Sequence, residues 1–250
     1  MMAAAALPKL IVEDDAEALA RAAAERVMAR IAANPGRIAI CLTGGSSPKK
    51  LYQLLGSEAW RGRIPWQRVH WFIGDERFVP ASDPLNNMAV ARATFLDRNA
   101  ASSHIHPIPT ATETPEQSAD AYARELQAFY GSDRLDPSRP LFDLVLMGAG
   151  PDGHTASLFP GFPEIEETER WVVGVPRANV APFVPRVSLT LPALASCREM
   201  LFEIAGHDKQ PILTRLLNGE TLPALRARSA GETVWLVDRA ALPEGIRGPR

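Results

Sequence analysis

The stretch Phe142-Asp-Leu-Val-Leu-Met-Gly-Ala-Gly-Pro-Asp-Gly-His154-Thr-Ala-Ser-Leu-Phe-Pro-Gly161 carries the plan of the chain. Leu144 to Met147 is an unbroken apolar run, as in a strand buried on both faces. The run breaks at Gly148, Gly150 and Gly153, with Pro151 among them. Such a cluster lets the backbone take positive φ and bring its N–H groups close to a ligand. The loop ends on His154, followed by Thr155 and Ser157. An open α/β sheet places its ligand in loops of this kind, at the carboxyl ends of its strands.

Outward from that stretch, strand and helix signals alternate. Leu10 to Val12 reads as a strand, and Asp14 or Asp15 can cap the helix that follows. There Leu19, Ala23, Val27 and Ile31 recur every four residues until Asn34-Pro35-Gly36 stops the helix. Ile38 to Leu42 is an apolar strand, and a helix resumes at Pro48 or Lys49. Val69 to Ile73, Ile105 to Ile108, Trp171 to Val175, Val187 to Leu191, Leu201 to Ala205 and Thr233 to Val237 read as strands. Asn86 to Leu96, Thr114 to Tyr130 and Gln210 to Leu217 read as helices. The alternation predicts an α/β fold, a mainly parallel sheet with helices on both faces, in a single domain over residues 1–250. The proline-rich connection from Pro176 to Pro192 leaves room for a small β-rich subdomain.

The formal net charge of −2 gives no general attraction to nucleic acid or anionic membrane, so an anionic ligand needs a local site. The two cysteines, Cys41 and Cys197, lie far apart in apolar surroundings and read as buried reduced thiols. Met1 to Leu10 lacks the basic start and apolar length of a secretion signal, and no run approaches the ~20 apolar residues of a membrane span. The expectation is a soluble, cytoplasmic protein.

Three strand ends carry polar loops that could meet at one edge of the sheet. In Thr43-Gly-Gly-Ser-Ser47, before a helix, backbone N–H groups and the helix dipole suit a phosphate, although a plain glycine turn with Ser47 as cap would look the same. Lys49 and Lys50 oppose that dipole unless a bound dianion reverses the sign. Asp75-Glu76-Arg77 is a charged turn by composition. Its place after a strand lets Arg77 serve a phosphate and Asp75 a sugar hydroxyl. In the third loop a neutral imidazole at His154 can take a proton from water. Asp152 either orients that imidazole or the water, or closes the loop. No Ser sits in a Gly-x-Ser-x-Gly elbow, and no second His or Cys stands at metal-ligand spacing from His154. Arg186 and Lys209, each alone a surface charge, could complete the cluster.

Leu42-Thr-Gly-Gly-Ser-Ser-Pro48, Gly74-Asp-Glu-Arg-Phe-Val-Pro80, Phe142 to Gly161, Arg186-Val-Ser-Leu-Thr-Leu191 and Gly206-His-Asp-Lys209 together resemble the 6-phosphogluconolactonases. The resemblance implies a Rossmann-like fold shared with glucosamine-6-phosphate deaminases and ribose-5-phosphate isomerases. It implies hydrolysis of a small sugar-phosphate lactone in the pentose phosphate pathway, with no metal, organic cofactor, nucleic acid or membrane, by a monomer or weak homodimer. Carried onto this sequence, His154 is the general base, and Gly44, Gly45, Ser46, Ser47, Asp75, Arg77, Asn87, Arg186 and Lys209 contact phosphate or substrate. Leu85-Asn86-Asn87 stands where the family often has Asp-Ser-Asn, which keeps Asn87. The sister deaminases carry Phe-Asn-Glu-Pro where this chain has Ser157-Leu158-Phe159-Pro160, without a carboxylate. A deaminase or isomerase, or a non-catalytic sugar-phosphate sensor, are the rival expectations.

Overall fold

The computed structural model describes residues 7–246; residues 1–6, which share in the signal-peptide reading, and 247–250 lie outside that description. β1 (Lys9–Glu13) leads into α1 (Ala16–Ala33), β2 (Ile38–Leu42), α2 (Lys49–Gly56), the one-turn α3 (Glu58–Arg61), β3 (Val69–Ile73), β4 (Asp75–Arg77) and α4 (Asn87–Ala91). β5 (Ile105–His106), α5 (Pro115–Tyr130), β6 (Phe142–Met147), β7 (Val172–Val175) and β8 (Arg186–Leu189) follow. The chain continues through α6 (Leu191–Ala195), β9 (Cys197–Ile204), α7 (Gln210–Leu217), α8 (Pro223–Arg226) and β10 (Glu232–Asp238).

Seven strands form one sheet in the order β1-β10-β9-β6-β2-β3-β5, and all its pairings are parallel. From β2 the chain moves outward to β3 and β5, whereas from β6 it moves the other way to β9 and β10. The direction reverses between β2 and β6, so the loops leaving their carboxyl ends diverge and open a crevice there. β4, β8 and β7 make a separate antiparallel sheet, the small β-rich unit that the proline-rich connection led us to expect. Asp75–Arg77, which composition reads as a solvated turn, is a strand of that sheet, paired with β8. The expected strand at Val187 to Leu191 stops at Leu189, and Leu191 begins α6.

α1 is capped by Asp15, whose side chain accepts from the Ala18 amide at 2.7 Å, and it buries the stripe Leu19, Ala23, Val27 and Ile31. Burying each of the larger side chains contributes about 1.5–3 kcal/mol. Arg26 and Arg30 of α1 both pair with the buried carboxylate of Glu199 on β9, which locates α1 over one face of the sheet. α5 covers the opposite face, with Phe129 edge-on to Phe72 at 4.8 Å. The expected helix from Asn86 to Leu96 divides: α4 ends at Ala91 and Arg92–Leu96 forms a wider π turn. That turn inserts Phe95 between Tyr52 (5.1 Å) and Trp71 (5.2 Å), so aromatic packing overrides the regular period.

At the β5 edge, on the α5 face, three of the five histidines cluster. His106 donates from Nδ1 to Glu125 at 2.7 Å, and its Nε2 stands 2.9 Å from His70 Nδ1. Burial, then His104, His106 and Arg37, push His70 down from 6.5 to about 4. The unfolded chain therefore binds a proton at His70 that the folded protein refuses, and stability is lost as pH falls from about 6.5 to about 4. In urea unfolding at pH 7 and pH 4.5, His70→Phe is expected to lose less stability between the two than wild type.

Candidate active site

The loop after β2 and the loop after β6 leave adjacent parallel strands, in register at Ile40 with Leu144 and Cys41 with Val145. Between them, and against the small antiparallel sheet, lies a cleft of about 350 Å³. Gly44, Gly45, Ser46, Ser47, Asp75, Arg77, Asn87, His154, Arg186 and Lys209 all line it. Asp152 is not part of the lining but bonds His154, which is.

His154 is held at three points. Asp152 Oδ1 accepts from the ring Nδ1 at 2.5 Å and from the His154 amide at 3.1 Å, so one carboxylate both orients the imidazole and closes the loop. The Phe159 ring packs against the imidazole at 4.9 Å. Gly150 passes directly beneath it: a Cβ there would stand 2.0 Å from His154 Cε1, so only glycine fits. Burial pushes the Asp152 carboxyl up, but the bonds from the His154 ring and amide outweigh it and hold it below the usual carboxylate range. An ionised Asp152 accepting from Nδ1–H leaves the lone pair on Nε2.

The other walls carry the charge. Lys209 Nζ bonds the Ala149 carbonyl at 3.0 Å, which draws the ammonium across the His154 loop. Arg77 and Arg186 lie side by side in the β4–β8 ladder. Arg77 Nη1 donates to the Leu85 carbonyl at 2.8 Å and Arg186 Nη2 to the Pro182 carbonyl at 2.8 Å. Arg186 is only 4% exposed, and its buried Nε has no partner among the described residues. Burial pulls its guanidinium below the ordinary value, with Asp75 opposing. The lining thus sets three cationic side chains against the one carboxylate of Asp75, in a protein of net charge −2. On the β2 side the amides of Gly44, Gly45, Ser46 and Ser47 have no backbone partner among the described residues. Ser47 is not a helix cap; Pro48 occupies that place without a side-chain bond. Lys50 pairs with Glu17 of α1 instead of facing the cleft, while Lys49 lines a smaller recess behind it.

Several contributors were not legible in the sequence. Ser157, buried, donates to Asp75 Oδ2 at 2.6 Å, and its amide bonds Ser188 Oγ at 3.2 Å. Ala156 before it takes a left-handed φ of 47°, which costs roughly 1 kcal/mol outside glycine. Tyr52 clamps the start of the glycine loop, its hydroxyl bonding both N–H and carbonyl of Thr43 at 3.1 and 2.7 Å. A hydroxyl two or three residues beyond the His154 motif, and a Tyr one turn into the helix after the glycines, were the available signals. Among the described residues no group of three or more His, Cys, Asp or Glu is placed to hold a metal ion, and no helix is long and apolar enough to cross a membrane. Cys41 and Cys197 are free and buried.

Residues 14–235 match the family described as glucosamine-6-phosphate isomerases/6-phosphogluconolactonase. The 6-phosphogluconolactonase of Streptomyces coelicolor is 38% identical over 257 residues, covering 97% of each chain. That of Synechocystis sp. is 38% identical over 84% of this chain and 85% of its own. Among solved structures, the 6-phosphogluconolactonase from Trypanosoma cruzi superposes with a TM-score of 0.82 at 29% identity, over 94% of this chain and 95% of that one.

Proposed function

The chain belongs to the glucosamine-6-phosphate isomerase/6-phosphogluconolactonase family, and we propose that it hydrolyses 6-phosphogluconolactone with His154 as general base. The observation that carries this reading is the 2.5 Å bond from His154 Nδ1 to Asp152, which leaves Nε2 to serve a water in a cationic cleft. Nε2 takes a proton from water as the oxygen attacks the lactone carbonyl carbon. Negative charge gathers on the carbonyl oxygen, where loop N–H groups or a single cationic side chain stabilise it. The tetrahedral intermediate collapses by breaking the bond to the ring oxygen, and the imidazolium returns its proton to that oxygen. The new carboxylic acid ionises and releases a proton to solvent.

The phosphate lies at the far end of the sugar from the reacting carbon. The Gly44–Ser47 amides and the cations Arg77, Arg186 and Lys209 bind it, and that binding energy positions the carbonyl against His154. A charge-assisted hydrogen bond contributes about 1.5–3 kcal/mol. Arg77→Ala and Lys209→Ala are therefore each expected to raise KM roughly 10- to 100-fold, with a smaller change in kcat. Steady-state assays of both variants check this, and a loss confined to kcat would reassign them to the chemical step.

The cleft wall after His154 presents Ser157 and Phe159 and no carboxylate beyond Asp75, which disfavours proton shuttling on an aminosugar. The test is enzyme-dependent opening of freshly generated 6-phosphogluconolactone, followed by proton release above the spontaneous rate, beside a parallel assay on glucosamine 6-phosphate. The reading predicts excess rate on the lactone alone. No excess on the lactone from the folded protein overturns it.

A further inference from the structure

We propose that Glu76 is a positioning residue for the phosphate end of the cleft, acting through Asn87. Glu76 lies on β4 between Asp75 and Arg77, which line the cleft. Alternation along a strand turns its side chain the other way. There it is fully buried, and among the described residues it forms no salt bridge, Arg186 acting on it only at longer range. Its carboxylate instead accepts three backbone N–H groups: Oε1 from Asn87 at 2.6 Å and Arg77 at 2.9 Å, and Oε2 from Met88 at 2.9 Å. One buried group thus ties the start of α4 to the strand that carries Arg77.

Asn87 is what that tie holds in place. Its Nδ2 donates to the Asp75 carbonyl at 3.0 Å. Its side chain also fills the space above Gly44, where a Cβ would lie 2.2 Å from Asn87 Cγ. The turn before it carries the Leu85 carbonyl that receives Arg77 Nη1. Behind Asn87 a second recess of about 210 Å³ shares Gly44, Gly45, Arg77 and Asn87 with the cleft. Asn87 therefore stands as a partition with space on both sides, and the hydrogen bonds to Glu76 and Asp75 hold it there. A carboxylate accepts N–H groups at both oxygens, whereas an amide in its place turns an N–H₂ towards one of them. Burial pushes Glu76 up to about 7, against the three backbone bonds that favour its charge.

This inference rests on the lactonase reading of the cleft, and its test is separable from that reading. If wild type does not open the lactone, the reading fails. If wild type opens it and the following prediction does not hold, the Glu76 inference alone fails. KM and kcat are measured for wild type, Glu76→Gln, Asn87→Ala and the double variant, with Glu76→Asp, which retracts the carboxylate by one methylene, standing in should Glu76→Gln not fold. The expected result is about a tenfold rise in KM for Glu76→Gln, the scale of one lost charge-assisted hydrogen bond, with kcat within about threefold. The double variant is expected to lie within about twofold of Asn87→Ala, because Glu76 acts through that residue. An unchanged KM with only a lowered melting temperature would make Glu76 merely structural. Multiplicative effects in the double variant would remove Asn87 as the intermediary. Either result overturns the proposal.

Discussion

Replacing Glu203 by Met is expected to stabilise the folded protein at pH 8 by on the order of 4 kcal/mol. Glu203 lies on β9 and is 1% exposed, and neither carboxyl oxygen has a hydrogen-bond partner among the described residues. Its face of the sheet is the one α1 covers, because Glu199, four residues earlier on the same strand, pairs there with Arg26 and Arg30. Glu199 has two cations; Glu203 has none. Burial alone pushes Glu203 from 4.5 to about 8. The folded protein keeps that proton until about pH 8, whereas the unfolded chain gives it up near 4.5. Between those values the folded state binds more protons, so stability falls as pH rises through the interval. Met has similar volume and no polar atom to leave unpaired. Urea unfolding of wild type and Glu203→Met at pH 5 and pH 8 checks this. The variant is expected to lack the alkaline loss, and an equal loss in both proteins would mean that Glu203 is not its source.

The main sheet was legible because its strands announce themselves. Ile38 to Leu42 and Leu144 to Met147 are apolar throughout, as strands buried on both faces must be, and the glycine loops that follow mark their carboxyl ends. That those loops could meet at one edge was expected, and the structure places β2 beside β6, where the strand order reverses. The second sheet was not legible in full. Asp75–Arg77 has no apolar alternation, and its partner Arg186–Leu189 is more than a hundred residues away. What makes it a strand is a long-range ladder, and what makes its charges tolerable is the cleft on one side and three amides on the other. Glu203 was hidden for the opposite reason. In Met200-Leu-Phe-Glu-Ile204 a single carboxylate reads as a solvent-facing position, yet helices cover both faces of this sheet. The sequence also left Asp152 between two roles. In the structure one oxygen of Asp152 reaches both the ring and the amide of His154, a geometry compatible with both.

His154→Asn is expected to lower kcat by 10²- to 10⁴-fold, the usual contribution of a positioned general base, equivalent to about 3–5 kcal/mol of barrier. Asn approximates the size of the imidazole near the backbone and can still bond Asp152, so the loop over Gly150 is expected to persist. It has no basic nitrogen to take the proton from water. The proposed phosphate contacts lie on other elements, the Gly44–Ser47 loop, β4, β8 and the segment carrying Lys209. Affinity for 6-phosphogluconate is therefore expected to stay within about threefold of wild type. The two effects separate the chemical step from binding, which a general loss of folding could not do.

The most direct measurement is the initial rate of proton release from fresh 6-phosphogluconolactone with wild type and His154→Asn at equal concentration, each corrected for spontaneous opening. The same samples are titrated with 6-phosphogluconate. A rate lost to near the spontaneous background with product binding intact is the predicted result. Near-wild-type turnover by His154→Asn would contradict the assignment of the base.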